Sequence, residues 1–229
     1  MIVFTKRDYL DEKINEMLLD IRFSKYYEHL ITENKITNLT RIVDEDSVYY
    51  KHFYDSLILS KYIDLTNKKF LDVGAGAGFP SIPLKIMNDS IELTIIDSLN
   101  KRIKFLAGLA DILKLTNCYL IHGRAEELDK KQYFDIVTSR AVARLNMLAE
   151  LTIPFVKLGG YFVAFKSINY QEELMEAMSA IEELGGELER VEEYNISDSE
   201  TRVLLFIKKI KTTKKVYPRQ FFKIKKRPL

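Results

Sequence analysis

The sequence predicts an α/β protein with a mostly parallel sheet that is covered by helices on both faces. From Lys69 onward, helical segments alternate with short apolar runs, which read KFLDVG, ELTIID, CYLIHG, FDIVTS and GYFVAFK. Strict alternation of strand and helix is typical of a doubly wound, Rossmann-like sheet. Two more strand-like runs, ELERVEEY and RVLLFIKKI, follow at the end. Because these two runs adjoin, we expect one antiparallel strand near the sheet edge.

The chain before residue 64 predicts helices. Thr5 and Asp8 resemble a capping box ahead of an apolar helix face, and Ser24 and Asp46 would cap a second and a third helix. Helices between the strands are expected over Asn100–Leu113, Ala141–Phe155 and Glu172–Leu184. We divide the chain into an N-terminal helical extension packed on the core (1–63), an α/β core (64–210) and a basic C-terminal tail (211–229).

The composition is that of a soluble globular protein, with 47% hydrophobic and 30% charged residues among 229. We expect no membrane segment, because no run approaches the ~20 apolar residues that span a bilayer. The opening also lacks the apolar stretch of a signal peptide. The single cysteine, Cys118, cannot form an internal disulfide, and it is more typical of a buried core position than of a nucleophile. A cytoplasmic location is therefore expected.

Positive charge is concentrated after Glu200, the last acidic residue. Of the 35 basic side chains, 11 lie beyond Glu200, so the first 200 residues carry 24 basic and all 33 acidic ones, a net charge of −9. A basic tail on an acidic body is typical of proteins that meet polyanions. The alternative is a solvated tail that only aids solubility.

A glycine-rich loop follows the first strand and reads DVGAGAGFP from Asp72 to Pro80. Glycine permits positive φ and lets the backbone approach a ligand, and the free amides of the next helix favour an anion. The loop falls at the crevice where doubly wound sheets bind ligands, and Asp72 would attract an amino group there. The alternative is a tight turn that binds nothing.

Two further strand ends indicate a nucleoside ligand. Asp97 ends the second strand, where a carboxylate can accept hydrogen bonds from both hydroxyls of an unphosphorylated ribose, although by itself it could also cap a helix. Ala125 and Glu126, after the third strand, would lie beside an adenine or begin an ordinary helix. S-adenosylmethionine and NAD share such a ribose. The spacing G-x-G-x-G favours the former, as does a closing strand pair typical of class I methyltransferases.

Arg140 and Lys166 end the fourth and fifth strands on the crevice side. They would orient a substrate, or they would pair on the surface with Glu126 or Glu127. The sequence after the fourth strand, SRA, lacks the Asn/Asp-Pro-Pro-aromatic motif used for exocyclic amines, and no Pro-Cys dipeptide is present for attack on a pyrimidine. We assign these two cations to substrate orientation, and we expect no general base and no metal.

Four segments in order, FLDVGAGAGFPSIPLKI, TIIDSLNKRIKFL, HGRAEEL and FDIVTSRAVA, closely resemble the glucose-inhibited division protein B family. The resemblance extends from NLT at residue 38 and His52-x-x-Asp55-Ser56 to the C-terminus. Members are bacterial 16S rRNA guanine-N7 methyltransferases, so it implies S-adenosylmethionine as cofactor and a small-subunit rRNA guanine as target. It also places His52 in the site, although a structural histidine is the ordinary alternative. The residues expected to bind the cofactor are Asp72, Gly74, Ala75, Gly76, Gly78, Phe79, Asp97, Ala125, Glu126 and Arg140.

The C-terminal end matches the family only in part, because Phe222 and Ile224 stand where the family has a glycine and a proline. The charge is retained, so 16S rRNA or a small-subunit precursor is the expected partner of a monomer. The residues expected to contact RNA are Arg219, Lys223, Lys225, Lys226 and Arg227. Apolar Phe221, Phe222 and Ile224 could instead pin this segment to the body.

Three rival functions stay open at this point. An NAD-dependent oxidoreductase would prefer G-x-G-x-x-G, and the one Tyr-x-x-x-Lys pair, Tyr9 and Lys13, precedes the glycine loop. A non-enzymatic RNA-binding protein would bind RNA but not S-adenosylmethionine. A methyltransferase of the same fold could act on another RNA base.

Overall fold

The computed structural model describes residues 11–140, 142–197 and 199–229, so the predicted capping box at Thr5 and Asp8 lies outside it. A seven-stranded sheet in the order β3-β2-β1-β4-β5-β7-β6 forms the centre. Its strands are β1 (Lys69–Val73), β2 (Glu92–Asp97), β3 (Cys118–His122), β4 (Phe134–Arg140), β5 (Val156–Ser167), β6 (Gly186–Ser197) and β7 (Glu200–Lys209).

The sheet confirms the predicted fold class. β1 to β5 pair in parallel, and β7 lies antiparallel between β5 and β6. The register aligns Val73 at the end of β1 with Ile96 of β2, and Arg140 at the end of β4 with Phe165 of β5. The parallel strands therefore end at the same edge of the sheet. The loops that follow β1, β2, β3 and β4 therefore meet along one edge, where doubly wound sheets bind ligands.

Helices cover both faces of the sheet. The α-helices are α1 (Glu12–Met17), α2 (Ile21–Thr37), α3 (Glu45–Val48), α4 (Asp55–Leu57), α5 (Leu59–Tyr62), α6 (Ser81–Met87), α7 (Asn100–Leu113), α8 (Leu145–Thr152), α9 (Gln171–Glu183) and α10 (Phe221–Lys226). A π-helical turn, Tyr49–Tyr54, joins α3 to α4, and 3-10 turns lie at Ala125–Glu127 and Ile153–Phe155. No helix of the described ranges is long and apolar enough to cross a bilayer.

Two predicted helix caps were wrong. Asp20, not Ser24, caps α2, and its Oδ1 accepts a hydrogen bond from the Arg22 amide at 2.8 Å. Asp44, not Asp46, caps α3. Asp and Ser are comparable N-cap residues, so composition alone does not decide which of two nearby candidates is used. In the same way, the helix predicted from Ala141 begins at Leu145 in the described chain, and Ala141 itself lies outside it.

The core consists of two hydrophobic clusters, one on each face of the sheet. In the first cluster, Phe23 and Phe53 of the helical extension pack with Phe70 and Leu93 of the sheet. The second cluster includes α8 and α9 together with Ile224 from the tail. Because each cluster crosses a proposed boundary, both terminal segments are bound to the body. The division at residues 63 and 210 stays a prediction.

Candidate functional site

The loops at the carboxyl edge of the sheet enclose a cavity of about 550 Å³. Eight of the ten residues expected to bind the cofactor line it, namely Gly74, Ala75, Gly76, Phe79, Asp97, Ala125, Glu126 and Arg140. Asp72 and Gly78 are not part of the lining. His52 of the helical extension and Phe221 of the tail do line it. The cavity, called the main cavity below, is thus built by the sheet edge, the helical extension and the tail together.

The three loop glycines have positive φ but different surroundings. A Cβ on Gly74 would lie 2.6 Å from Val142 Cγ2, and one on Gly78 would lie 2.7 Å from the Tyr26 hydroxyl. Protein packing therefore requires glycine at position 78, whereas a Cβ at position 74 would have to displace the exposed Val142 side chain. A Cβ on Gly76 (φ 63°) would meet no described atom within 4 Å. Since Gly76 lines the main cavity, the open space beside it fits a ligand that approaches the backbone closely.

Asp72 lies beneath the glycine loop and is fully buried. Its Oδ2 accepts a 3.3 Å hydrogen bond from the Ser81 amide, whereas Oδ1 has no partner among the described residues. Burial raises the pKa of this carboxyl to about 7. A buried oxygen without a partner fits attraction of a cationic amino group, and a water would have to relay it because Asp72 does not line the cavity.

Asp97 reaches the main cavity from the end of β2 and is 2% exposed. Its carboxylate accepts from the Leu99 amide (2.9 Å), from the Gly76 amide (3.3 Å) and from Arg102 (3.1 Å). A carboxylate offers about four acceptor positions, so one remains for a ribose hydroxyl. To accept a hydrogen bond from the second ribose hydroxyl as well, Asp97 would have to lose one of its three present hydrogen bonds.

Arg140 ends β4 and pairs with a buried acid, Asp55. Its Nη1 lies 2.7 Å from Asp55 Oδ2, and Asp55 Oδ1 accepts from the Tyr194 hydroxyl at 2.6 Å. The guanidinium carbon also lies 5.0 Å from the centre of the Phe79 ring. The alternative pairing with Glu126 or Glu127 was wrong, because the true partner comes from the helical extension. These bonds fix the guanidinium at the main cavity.

His52 stacks on Phe79, with ring centres 4.5 Å apart, and its Nδ1 lies 3.3 Å from Arg140 Nη2. The π-helical turn at Tyr49–Tyr54 carries it there, a feature often found at functional sites. Burial, with a contribution from the Arg140 charge, lowers the pKa of His52 to about 3. The imidazole is therefore neutral at pH 7 and too weak a base to take a proton efficiently.

Lys166 does not line the main cavity. Its Nζ lies 2.7 Å from Glu173 Oε1, so the alternative of Glu126 or Glu127 as partner was wrong here also. Lys166 lines an adjoining cavity of about 500 Å³, which shares Val142 with the main one. A role in orienting a substrate next to the cofactor stays a prediction for this residue.

The basic tail is folded against the body. Arg219 donates from its Nε (2.8 Å), its Nη2 and its backbone amide to Glu150, which is fully buried. Ile224 is fully buried as well, so it pins the segment, whereas Phe222 is 63% exposed and does not. The four other cations expected to contact RNA are exposed, namely Lys223, Lys225, Lys226 and Arg227. Arg219 is engaged by Glu150, which favours a structural role for it.

Sequence reasoning missed three residues of this site. Asp55 appeared only within the family motif, and nothing local marks it as the partner of Arg140. Arg102 follows Asp97 by five residues, in the first turn of the next helix, and that proximity was the available signal. Phe221 had only a weak signal, because three apolar residues lie in this basic segment and one of them, Phe222, is exposed.

The comparisons place these features among known proteins. A family model described as GidB, rRNA small subunit methyltransferase G, matches residues 20–203. A relative from Staphylococcus carnosus named ribosomal RNA small subunit methyltransferase G is 46% identical, covering 97% of this chain and 98% of its own. Among solved structures, M. jannaschii TYW2 in complex with AdoMet has a TM-score of 0.59 at 17% identity, covering 74% of this chain and 80% of its own. A SAM-dependent methyltransferase from Aquifex aeolicus has a TM-score of 0.58 at 16% identity, covering 76% and 97%. These structural likenesses concern the fold.

Proposed function

Because the chain belongs to the GidB family of rRNA small subunit methyltransferases G, we propose that it methylates N7 of a guanine in 16S rRNA. The cofactor is S-adenosylmethionine, which supplies an electrophilic methyl group when bound. The main cavity carries the proposal, since open space beside Gly76 adjoins a carboxylate, Asp97, at the position expected for a ribose. The further residues proposed to bind the cofactor are Gly74, Ala75, Phe79, Ala125, Glu126 and Arg140.

Guanine N7 is the target that the family resemblance implies, and the protein side chains support it. N7 is a nitrogen atom on the major-groove edge of guanine that carries a lone pair and no proton. Its methylation therefore removes no proton. His52 is neutral and weakly basic, which suits a reaction without a general base. Arg140 and Lys166 are left to orient the base, for example by donating to guanine O6. Positioning of this kind can contribute ~7–11 kcal/mol.

The test is methyl transfer followed by base-specific mapping. We expect the protein, given S-adenosylmethionine with a labelled methyl group, to label 16S rRNA at one guanine that cleavage chemistry for N7-methylguanine detects. Naked rRNA and small-subunit particles are assayed in parallel to find the form that is methylated. Label on a different base would refute the N7 assignment. RNA binding without any affinity for S-adenosylhomocysteine would instead support the non-enzymatic rival.

The exposed cations of α10 and its C-cap residue are proposed to bind rRNA phosphates, and they are Lys223, Lys225, Lys226 and Arg227. Replacing all four with Gln should weaken RNA binding regardless of sequence. The slope of log affinity against log salt should flatten by roughly 0.7 for each single-strand phosphate that the variant no longer binds. The melting temperature should stay unchanged, because these side chains are exposed. Fluorescence titration at several salt concentrations measures the slope.

A control variant replaces four exposed lysines outside the tail, Lys13, Lys25, Lys35 and Lys114, with Gln and reports the effect of the same loss of charge. Its salt slope should stay close to that of the unmodified protein. A lower melting temperature with an unchanged slope in the α10 variant would mean that the segment has a structural role and binds no RNA.

We also propose that the protein acts as a monomer in the cytoplasm, where its rRNA substrate would be found.

A further inference from the structure

We propose that Phe221 is a cofactor-binding residue and that the basic tail supplies the wall of the main cavity beside the adenine. The inference rests on the placement of S-adenosylmethionine in this cavity. The matched family region ends at residue 203, so Phe221 lies beyond it.

The first observation is where Phe221 sits. It lines the main cavity together with Arg124, Ala125 and Glu126, the loop after β3 that is expected to lie beside adenine. The Phe221 amide donates to Glu126 Oε1 at 3.0 Å, and the Arg124 guanidinium carbon lies 5.0 Å from the centre of its ring. The tail is thus bonded to the very loop that faces the base.

The second observation is that the chain is fixed on both sides of Phe221. Two residues before it, Arg219 forms several hydrogen bonds to buried Glu150. Three residues after it, Ile224 is fully buried in the second hydrophobic cluster. A ring held between two such anchors is positioned before a ligand arrives, so little ordering entropy is lost on binding.

The third observation is chemical. Ala125 offers the adenine only a methyl group and backbone, whereas a phenyl ring offers a flat apolar surface of the kind on which nucleobases pack. Phe221 is therefore expected to contact the adenosine half of the cofactor. Removing its ring should weaken ligands that contain adenosine by one common factor, whatever is attached to the ribose.

Binding and tail position are then linked thermodynamically. If a ligand contacts the seated tail, it stabilises the seated form by the same factor by which seating improves its affinity. S-adenosylhomocysteine should therefore slow tryptic cleavage after Lys223, Lys225 and Lys226. Cleavage after Lys114, which is exposed at the end of α7 and lies outside the cavity lining, serves as the internal reference and should respond less.

The decisive experiment compares two neighbouring phenylalanines. Phe221→Ala should weaken S-adenosylhomocysteine and 5′-methylthioadenosine alike by about tenfold, the size expected when a base is deprived of its aromatic neighbour. Phe222→Ala, which removes a ring that is 63% exposed and lies outside the cavity lining, should leave both affinities unchanged. Phe221→Leu keeps the apolar anchor but lacks the aromatic face, and it should fall between the two. Calorimetry on the full chain provides the affinities, and the melting temperature shows whether each variant is folded.

Unchanged affinity in folded Phe221→Ala would overturn the inference, and so would equal losses in the Phe221 and Phe222 variants. If Phe221→Ala has a lowered melting temperature, the Phe221→Leu variant decides. The inference would then be overturned if Phe221→Leu bound S-adenosylhomocysteine as tightly as the unmodified protein and if this ligand did not slow cleavage after the tail lysines. A loss confined to S-adenosylhomocysteine would place Phe221 at the methionine half and refute the adenine contact. If no adenosine ligand binds the unmodified protein at all, the proposed function itself fails, which is a distinct result.

Discussion

Replacing Gly76 with valine should weaken binding of S-adenosylhomocysteine strongly, by up to about a hundredfold. The new side chain would project into the open part of the main cavity, where no described atom lies within 4 Å of the Cβ position. Overpacking a filled site costs ~1–3 kcal/mol, and about 1.4 kcal/mol is a factor of ten in affinity. Calorimetric titration measures the effect, and NAD should bind the unmodified protein far more weakly than S-adenosylhomocysteine.

The chain offers a matched control for the backbone strain of this variant. Gly159 has φ 77°, and a Cβ there also meets no described atom within 4 Å, but it is exposed on β5 away from the main cavity. Gly159→Val should therefore show a similar loss of stability with unchanged cofactor affinity. If the two variants lost affinity equally, strain and not ligand space would be the cause. Tighter binding of NAD than of S-adenosylhomocysteine would contradict the cofactor assignment.

Breaking the Asp55–Arg140 pair should lower stability more than removing both charges together. Asp55→Leu leaves the Arg140 guanidinium without its carboxylate partner, and the Arg140 side chain is only 15% exposed. Removing one partner of a buried ion pair lowers the free energy of unfolding by about 3 kcal/mol. For a protein of this size, that corresponds to a fall in melting temperature of roughly 6–12 °C. Asp55→Leu combined with Arg140→Met should recover part of the loss, with the Tyr194 hydroxyl still lacking its acceptor.

Activity should not follow stability in this comparison. The double variant lacks the cation at the main cavity, so we expect its methyl-transfer rate to stay at least about tenfold below that of the unmodified protein even where it is fully folded. Thermal unfolding of both single variants and the double variant gives the coupling energy. If the double variant regained both its melting temperature and its methyl-transfer rate, the ion pair would have a structural role only.

Features encoded by neighbouring residues were predictable from the sequence. The strand, glycine loop and helix of β1 and α6 are contiguous, and helix Asn100–Leu113 has the predicted bounds. Asp97 could be placed because strand ends in a parallel sheet share one edge. The helix caps Asp20 and Asp44 were missed, because the path of the preceding loop decides which of several nearby polar residues becomes the cap.

Contacts between distant segments were beyond such reasoning. The partner of Arg140 is separated from it by 85 residues, and the Glu126 carboxylate lies 95 residues from the amide that it binds. Hydrophobic periodicity reports which face of an element is buried, but not which element covers it. The apolar residues of the tail therefore indicated burial of the segment, and Ile224 confirmed it, without indicating where Phe221 would lie.

The same long separations bear on the order in which the molecule folds. The bond from Tyr194 to Asp55 spans 139 residues, and the bond from the Phe221 amide to Glu126 spans 95. Contacts of this range must overcome a large loop-closure entropy, so they form after the local ones and slow folding. In refolding experiments, the helices and the pairing of strands close in sequence, such as β6 with β7, should thus appear before the protein can bind adenosine ligands. The nascent chain would likewise complete the wall of its ligand site only after the tail had been synthesised and docked.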